Sequence, residues 1–202
     1  MSSSNPDASA KKSRGYRLGK RALKQEQTRL RIVEAAVDLH CTIGPAQTTV
    51  SQIAERAGVQ RHTYYAHFPN ERSLFLACSG LSMERDPLPD VAQLLTVAPG
   101  RERIRRGLEQ LYGWYGRNEQ HAACVIRDAE HHPLTREMME LRMAPVFRRT
   151  AEIMSEGVDD RSRALLGIAL DFACWRNLGR NYSAAGAAAL MADAVMSLAS
   201  DR

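Results

Sequence analysis

Apolar residues recur at helical spacing from about residue 25 onwards, and no segment alternates polar and apolar positions as a strand does. Leu30, Val33 and Val37 lie three or four positions apart, which predicts a first helix from about Gln25 to Cys41. Pro145 falls inside a later helical segment and predicts a kink there. Further helices are expected at about 71–84, 100–119, 121–130, 134–156, 160–179 and 183–199.

Residues 49 to 68 predict two short helices joined by a tight turn. Thr49 and Gln52 have the spacing of a capping box, in which each side chain accepts a backbone N–H of the other residue. Gly58 adopts the left-handed conformation of the turn at no steric cost, and Val59 returns to the core. This order is typical of a helix-turn-helix, whose second helix enters the DNA major groove. An ordinary helical hairpin is the alternative.

The motif in this region resembles that of a known family. The resemblance, to the tetracycline-repressor (TetR) family of bacterial transcription regulators, covers about residues 26–80 and rests on Ile53-Ala54-x-x-Ala57-Gly58-Val59, Thr63-Tyr64-Tyr65-x-His67-Phe68 and Leu74. It implies an all-α chain of about nine helices, with a DNA-binding domain over 25–85 and a C-terminal effector-binding and dimerisation domain over 86–202. Pro87 and Pro89 mark the hinge between the two domains.

The resemblance also implies which residues contact DNA. By motif position they are Thr49, Ser51, Gln60, Arg61, His62, Thr63, Tyr65, His67 and Arg72. Arg61 can form two hydrogen bonds with guanine, Gln60 can hydrogen-bond adenine, and the methyl group of Thr63 can contact that of thymine. His67 is expected either to bind a phosphate or only to cap the helix. The family usually has smaller residues before Thr63 than Arg61 and His62, and it usually has a lysine where this chain has Glu71. Arg72 is the neighbouring substitute for that missing cation.

Basic charge is concentrated at the N-terminus. The net charge is +5, but residues 1–24 alone carry +6, from one acid, Asp7, and seven basic residues: Lys11, Lys12, Arg14, Arg17, Lys20, Arg21 and Lys24. The segment lacks apolar periodicity and is predicted to be a disordered arm that adds counterion-release affinity and lies along the adjacent minor groove. A solubilising extension is the alternative.

Composition excludes several other classes of protein. The four cysteines lie far apart, which favours free thiols over a disulfide framework or a zinc site. No apolar run is long enough to span a bilayer and no signal peptide is evident, so a cytoplasmic protein is expected. No catalytic motif is present, and neither an enzyme nor a cofactor is expected. Asp128, Glu130, His131 and His132 precede Pro133 and favour a helix cap over a metal site.

The C-terminal half offers candidates for an effector pocket. They are Trp114, Tyr115, Met138, Met143, Phe147, Asp171, Phe172 and Trp175. Aromatic and methionine residues at helical spacing are also typical of a plain core, so both interpretations stay open. Asp171 lies in an apolar run and is expensive to bury without a partner. It is expected either to pair with an arginine, such as Arg176 or one across the dimer, or to orient a cationic or hydrogen-bonding effector.

Two terminal segments predict a homodimer. Residues 163–178 and 184–199 are apolar on more than one face, which a partner copy would cover in a four-helix interface. A dimer also places two recognition helices one DNA turn apart, so a pseudo-palindromic operator on double-stranded DNA is expected. The sequence thus predicts a repressor that a small, apolar or amphipathic effector releases from DNA. The alternative is a DNA-bound protein-interaction factor with no effector.

Overall fold

The computed structural model describes residues 7–200, with side chains described for residues 19–198, and this part of the chain contains helices and no strand. The prediction of an all-α fold is therefore confirmed. Two short 3₁₀ helices, Pro45–Gln47 and Val91–Thr96, lie between the longer elements. The α-helices are α1 (Asp7–Thr42), α2 (Val50–Arg56), α3 (Arg61–His67), α4 (Glu71–Arg85), α5 (Arg101–Arg117), α6 (Glu119–Ala129), α7 (Pro133–Arg142), α8 (Ala144–Met154), α9 (Asp160–Ala169), α10 (Phe172–Leu178) and α11 (Ala184–Ser200).

The N-terminal core forms between α1 and the three helices that follow it. Ile32 and Ala36 on α1 are fully buried, and they belong to one apolar cluster with Ile53, Tyr64 and Leu74. These positions repeat every three or four residues along α1, so one face of the helix packs against α2, α3 and α4. The packing fixes the orientation of the helix-turn-helix.

Helix α1 begins earlier than predicted. It starts at Asp7 rather than near Gln25, so residues 7–24, which were predicted to be disordered, are helical in the structure. Alanine, lysine and arginine favour a helix, and extending an existing helix avoids the cost of nucleating one. Of the predicted basic arm, Lys20, Arg21 and Lys24 are exposed. Residues 1–6 and the side chains of Lys11, Lys12, Arg14 and Arg17 lie outside the described part.

The C-terminal core forms around α5, which packs against α8, α9, α10 and α11. Two segments predicted as single helices are each divided in two. The segment 134–156 is interrupted at Met143 because Pro145 lacks a backbone donor and starts α8 instead of bending it. The segment 160–179 is interrupted at Asp171, whose side chain accepts the Ala173 N–H at 2.6 Å and caps α10.

Two tyrosines of α5 stabilise the second interruption. The hydroxyl of Tyr112 donates to the carbonyl of Ala169 at 2.7 Å, and that of Tyr115 donates to the carbonyl of Leu170 at 2.9 Å. These carbonyls lie at the end of α9, where the intrahelical partners run out. The buried hydroxyls and the helix end therefore satisfy each other.

Candidate DNA-binding surface and interdomain cavity

The turn between α2 and α3 has the geometry that the sequence predicts. The Thr49 Oγ1 accepts the Gln52 N–H at 3.3 Å, and the Gln52 Oε1 accepts the Thr49 N–H at 2.8 Å, which confirms the capping box. Gly58 has a φ of 63°, and the Val59 N–H donates to the Ala54 carbonyl at 2.9 Å. The turn therefore ends α2 sharply and directs the chain into α3.

Helix α3 has a buried and an exposed side. Tyr64 and Phe68 are 2% and 1% exposed and belong to the N-terminal core, as predicted. The predicted base-reading residues lie on the other side: Gln60, Arg61, His62 and Tyr65 are exposed, and Thr63 is half-buried. The residues that hold α3 in place are thus separate from those available to a ligand.

The predicted phosphate-contacting residues have mixed environments. Thr49 and Ser51 are exposed at the start of α2, and His67 is half-buried in the last turn of α3. Arg72 is held by α7, because its Nε and Nη2 both lie 2.7 Å from the Glu137 Oε1. A phosphate contact by Arg72 stays a prediction, and it would compete with this ion pair.

The helix-turn-helix region matches a known family model. Residues 32–78 match the model described as "Bacterial regulatory proteins, tetR family". The helix-turn-helix domain belongs to the TetR family. One curated relative, the HTH-type transcriptional regulator SrpR of Pseudomonas putida, is 36% identical over 75 residues, which are 36% of this chain. The matched segment spans only 35% of that relative's length. TetR-family proteins are regulators, which agrees with the expectation that the chain is not an enzyme.

Solved structures extend the TetR-like fold over most of the chain. A TetR-like transcriptional regulator from Rhodococcus sp. RHA1 is 21% identical, with a TM-score of 0.61 over 87% of this chain and 97% of that chain. The regulator FadR from Bacillus subtilis, solved with stearoyl-CoA, is 19% identical, with a TM-score of 0.56 over 86% of this chain and 98% of that chain. At these identities the likeness establishes the fold alone.

The described residues contain neither a helix that could span a membrane nor a group of side chains that could hold a metal ion. None of their helices combines the length and hydropathy that crossing a bilayer requires. Nor do they bring three histidine, cysteine or acidic side chains together in a way that could hold a metal ion. His132 caps α7 instead, since its side chain accepts the Thr135 N–H at 3.3 Å.

A cavity lies where the two domains meet. Its empty volume is about 730 Å³, part of which is open solvent. Its wall is mostly apolar, and it comes from α1, α4, α5, α6 and α7 together with residues at their ends. A ligand in the cavity would therefore touch both domains at once.

Only part of the predicted effector set lines this cavity. Trp114, Met138 and Met143 do so. The other four aromatic members cluster in the C-terminal core, with the Tyr115 ring 5.2 Å from Phe172, 5.5 Å from Trp175 and 6.3 Å from Phe147, measured between centroids. These four residues thus fit the plain-core alternative.

Asp171 does not line the cavity either. It is exposed at the start of α10, and the proposed partner Arg176 instead pairs with Glu119 at 3.4 Å. The prediction that Asp171 pairs with Arg176 was wrong, because the carboxylate caps a helix at the surface, whereas pairing with an arginine across the dimer stays a prediction.

Several cavity residues were missed by the sequence analysis. They are His40 on α1, Phe75, Cys78, Ser79 and Ser82 on α4, His121 on α6, and Arg142 on α7. The spacing Phe75-x-x-Cys78-x-x-x-Ser82 places these three residues on one side of α4, which was a usable signal. Their opposition to α6 and α7 depends on the packing of the two domains.

Burial keeps the two histidines and the cysteine of the cavity wall uncharged at neutral pH. Burial lowers the pKa of His40 to about 4, with smaller contributions from His121 and His132. Burial also lowers the pKa of His121, and it raises the pKa of the Cys78 thiol to about 12. Neither histidine nor the thiol therefore carries charge at pH 7.

A buried acid connects α6 to the DNA-binding domain. Asp128 is 1% exposed, and its Oδ2 accepts the Ala46 N–H at 2.9 Å. Its Oδ1 accepts from the Arg127 Nε at 2.7 Å, and the Arg127 Nη2 donates to the Ile43 carbonyl at 3.1 Å. Desolvation raises the pKa of Asp128, but the bonds from Arg127 and Ala46 outweigh it and the pKa lies below its usual value. The loop before α2 is thus held by the C-terminal domain.

Proposed function

We propose that this protein is a dimeric, cytoplasmic transcriptional repressor that a small, largely apolar effector releases from a palindromic operator. The observation that carries this proposal is the cavity at the domain junction, whose wall includes α4 of the DNA-binding domain and α6 and α7 of the C-terminal domain. The affinity of a ligand for this cavity can therefore depend on the relative orientation of the two domains.

DNA binding is supported by the exposed side of α3. Gln60, Arg61 and His62 stand in solvent at the start of a helix whose inner side is fixed by Tyr64 and Phe68. In a helix-turn-helix, residues at this end of the second helix reach base edges in the major groove. Arginine and glutamine provide the two-point hydrogen bonds that distinguish guanine and adenine.

Dimerisation is supported by the outer surfaces of α9 and α11. Ile168 is 60% exposed and Leu190 is 41% exposed, whereas Ala188 and Ala192 on the inner side of α11 are fully buried. Both helices therefore have apolar surface left over after they have packed against their own core. A second copy related by a two-fold axis would cover that surface and would pair two recognition helices.

We infer that the protein releases DNA when the effector shifts the equilibrium between two relative orientations of the domains. An effector that contacts Phe75 and Cys78 on α4 as well as Met138 on α7 stabilises one orientation over the other. In that orientation the α3 helices of the two protomers would be separated by a distance that does not match the operator. The effector would then weaken DNA binding, and DNA would weaken effector binding to the same extent. The ion pair between Arg72 and Glu137 and the bonds of Asp128 cross the same junction and would respond to the shift.

The cavity also bears on the alternative function. A DNA-bound factor that only docks another protein needs no internal space between its domains. An apolar cavity of this size, partly open to solvent, supports the effector-responsive regulator instead.

The test has two steps. Duplexes that bind the purified protein are first selected from random DNA at near-physiological salt, and a palindrome is expected. Compounds are then screened for release of that duplex. The proposal fails if the selected duplexes share no sequence, or if compounds that bind the cavity leave DNA affinity unchanged.

A further inference from the structure

Arg142 is unusual among the residues of the cavity wall. It lies at the end of α7 among apolar neighbours that include Met138, Met143 and Trp114. Because the neighbouring histidines are neutral at pH 7 and the wall contains no acid, Arg142 supplies the charge of this wall. A cation in an apolar wall is expensive unless something pairs with it.

The described residues supply hydrogen-bond acceptors for only part of the Arg142 guanidinium. Its Nη2 donates to the Leu76 carbonyl at 3.2 Å, while its Nε is buried and has no hydrogen-bond partner. Among the described residues, no carboxylate lies within 4.0 Å of its guanidinium.

Another arginine shows how this fold satisfies a buried guanidinium. Arg103 is 4% exposed and donates to the Val97 carbonyl at 2.7 Å and to the Ile153 carbonyl at 3.2 Å. It also forms an ion pair with Glu156. Arg103 therefore has both carbonyl partners and a counter-charge, whereas the half-buried Arg142 has one carbonyl partner, a buried Nε without a partner and no carboxylate nearby among the described residues.

The other polar groups of the wall add donors and no negative charge. The Ser79 Oγ lies 3.4 Å from the Leu76 carbonyl oxygen and 3.5 Å from the Met138 sulfur, and its single proton can be donated to one of them at a time. The Ser82 hydroxyl lies 3.4 Å from the His121 Nδ1. These weakly bonded groups lie on α4, where an anion near Arg142 could also accept from them.

We propose that the cavity binds a small anionic amphiphile, whose carboxylate pairs with Arg142 and whose apolar body lies among Phe75, Met138 and Trp114. This inference rests on the proposed function, and it specifies the chemical class of the effector. A carboxylate suits the site because it accepts from a guanidinium at close range and supplies one negative charge to one positive charge.

The test compares acids with neutral molecules of the same shape. Octanoate is paired with octanamide, and 2-naphthoate with 2-naphthamide, and each is titrated into the full-length protein by calorimetry at about pH 7. Arg142→Met removes the guanidinium and keeps a long apolar side chain. Arg148→Met is the matched control, because the Arg148 side chain on α8 is 66% exposed and, within the described part of the chain, forms an ion pair with Glu140 at 4.0 Å.

We expect at least one acid to bind the wild-type protein about tenfold or more tightly than its amide, because a hydrogen bond to a charged partner is the stronger kind. Arg142→Met should bring the ratio near unity, while Arg148→Met should leave it unchanged. Equal affinities in the wild type, a ratio that survives Arg142→Met, or no binding by either acid would overturn the inference. Should Arg142→Met lose its helical circular dichroism, Arg142→Gln replaces it with the same expectation.

Release of operator DNA is measured separately, so that the two proposals can fail separately. An acid that binds through Arg142 but leaves DNA affinity unchanged contradicts the proposed release mechanism and supports the assignment of the anion site. Neutral compounds that release DNA while neither acid binds contradict the anion site alone.

Discussion

Replacing Asp128 by alanine tests how strongly the C-terminal domain holds the DNA-binding domain. Asp128 on α6 accepts the Ala46 N–H and the guanidinium of Arg127, and it is 1% exposed. Arg127 continues the connection to the Ile43 carbonyl. Alanine at 128 removes both bonds of the carboxylate and leaves the Ala46 N–H without its partner.

The expected loss of stability comes mainly from one of the two bonds. A hydrogen bond from a backbone N–H to a charged group contributes about 1.5–3 kcal/mol. The pair with Arg127 adds little, because the Arg127 side chain is 52% exposed and water screens its charge. The free energy of unfolding should therefore fall by about 1.5–3 kcal/mol. Asp128→Asn keeps an acceptor for the Ala46 N–H and should cost about 1 kcal/mol.

Urea unfolding followed by circular dichroism measures this difference, at a single protein concentration because the stability of the proposed dimer would depend on that concentration. With a urea dependence of about 2 kcal/mol per molar, Asp128→Ala should lower the midpoint by about 1 M. Asp160→Ala is the control, since the Asp160 side chain is 95% exposed and its ion pair in the described structure is with Arg163 on the same helix. A midpoint for Asp128→Ala as high as that of the control would refute the reasoning.

Three further predictions concern other parts of the molecule. Thr49→Ala should cost about 1 kcal/mol in urea unfolding, because it removes the capping box of α2, whereas Thr49→Ser should cost less. His40 has a folded pKa of about 4 against 6.5 when unfolded, so the folded protein binds fewer protons between these values. Stability should fall as pH drops through this window, by up to about 3 kcal/mol, and His40→Gln should flatten the dependence. Deleting residues 1–24 should weaken DNA binding and reduce its salt slope, by about 0.9 for each phosphate that the arm neutralises, and an unchanged slope would exclude a DNA-binding arm.

The helix-turn-helix could be predicted because its determinants are local. A capping box, a glycine with positive φ and a pair of buried rings act over a few residues, and the structure has all three. The start of α1 at Asp7 could not be predicted in this way, because residues 7–24 carry no apolar stripe. They become helical as an extension of a helix that is packed further along the chain.

The cavity was predicted less well because its walls come from both domains. The sequence pattern predicts effector residues in the C-terminal half alone, and of these Trp114, Met138 and Met143 line the cavity. His40 and Cys78 lie on helices assigned to the DNA-binding domain, and their side chains face α6 and α7 only after the domains pack. Asp171 was misplaced for a related reason, because an acid in an apolar run is also a good N-cap for a new helix.

The central claim is that α3 reads a DNA sequence, and a specificity ratio tests it most directly. The affinities of the selected operator and of a scrambled duplex are measured by fluorescence anisotropy at one salt concentration, for the wild type, Arg61→Ala and Arg148→Ala. We expect a wild-type ratio on the order of 10³ or more, which Arg61→Ala lowers by roughly tenfold to a hundredfold and Arg148→Ala leaves unchanged. A wild-type ratio near one, or an Arg61→Ala protein that loses affinity equally for both duplexes, would contradict it.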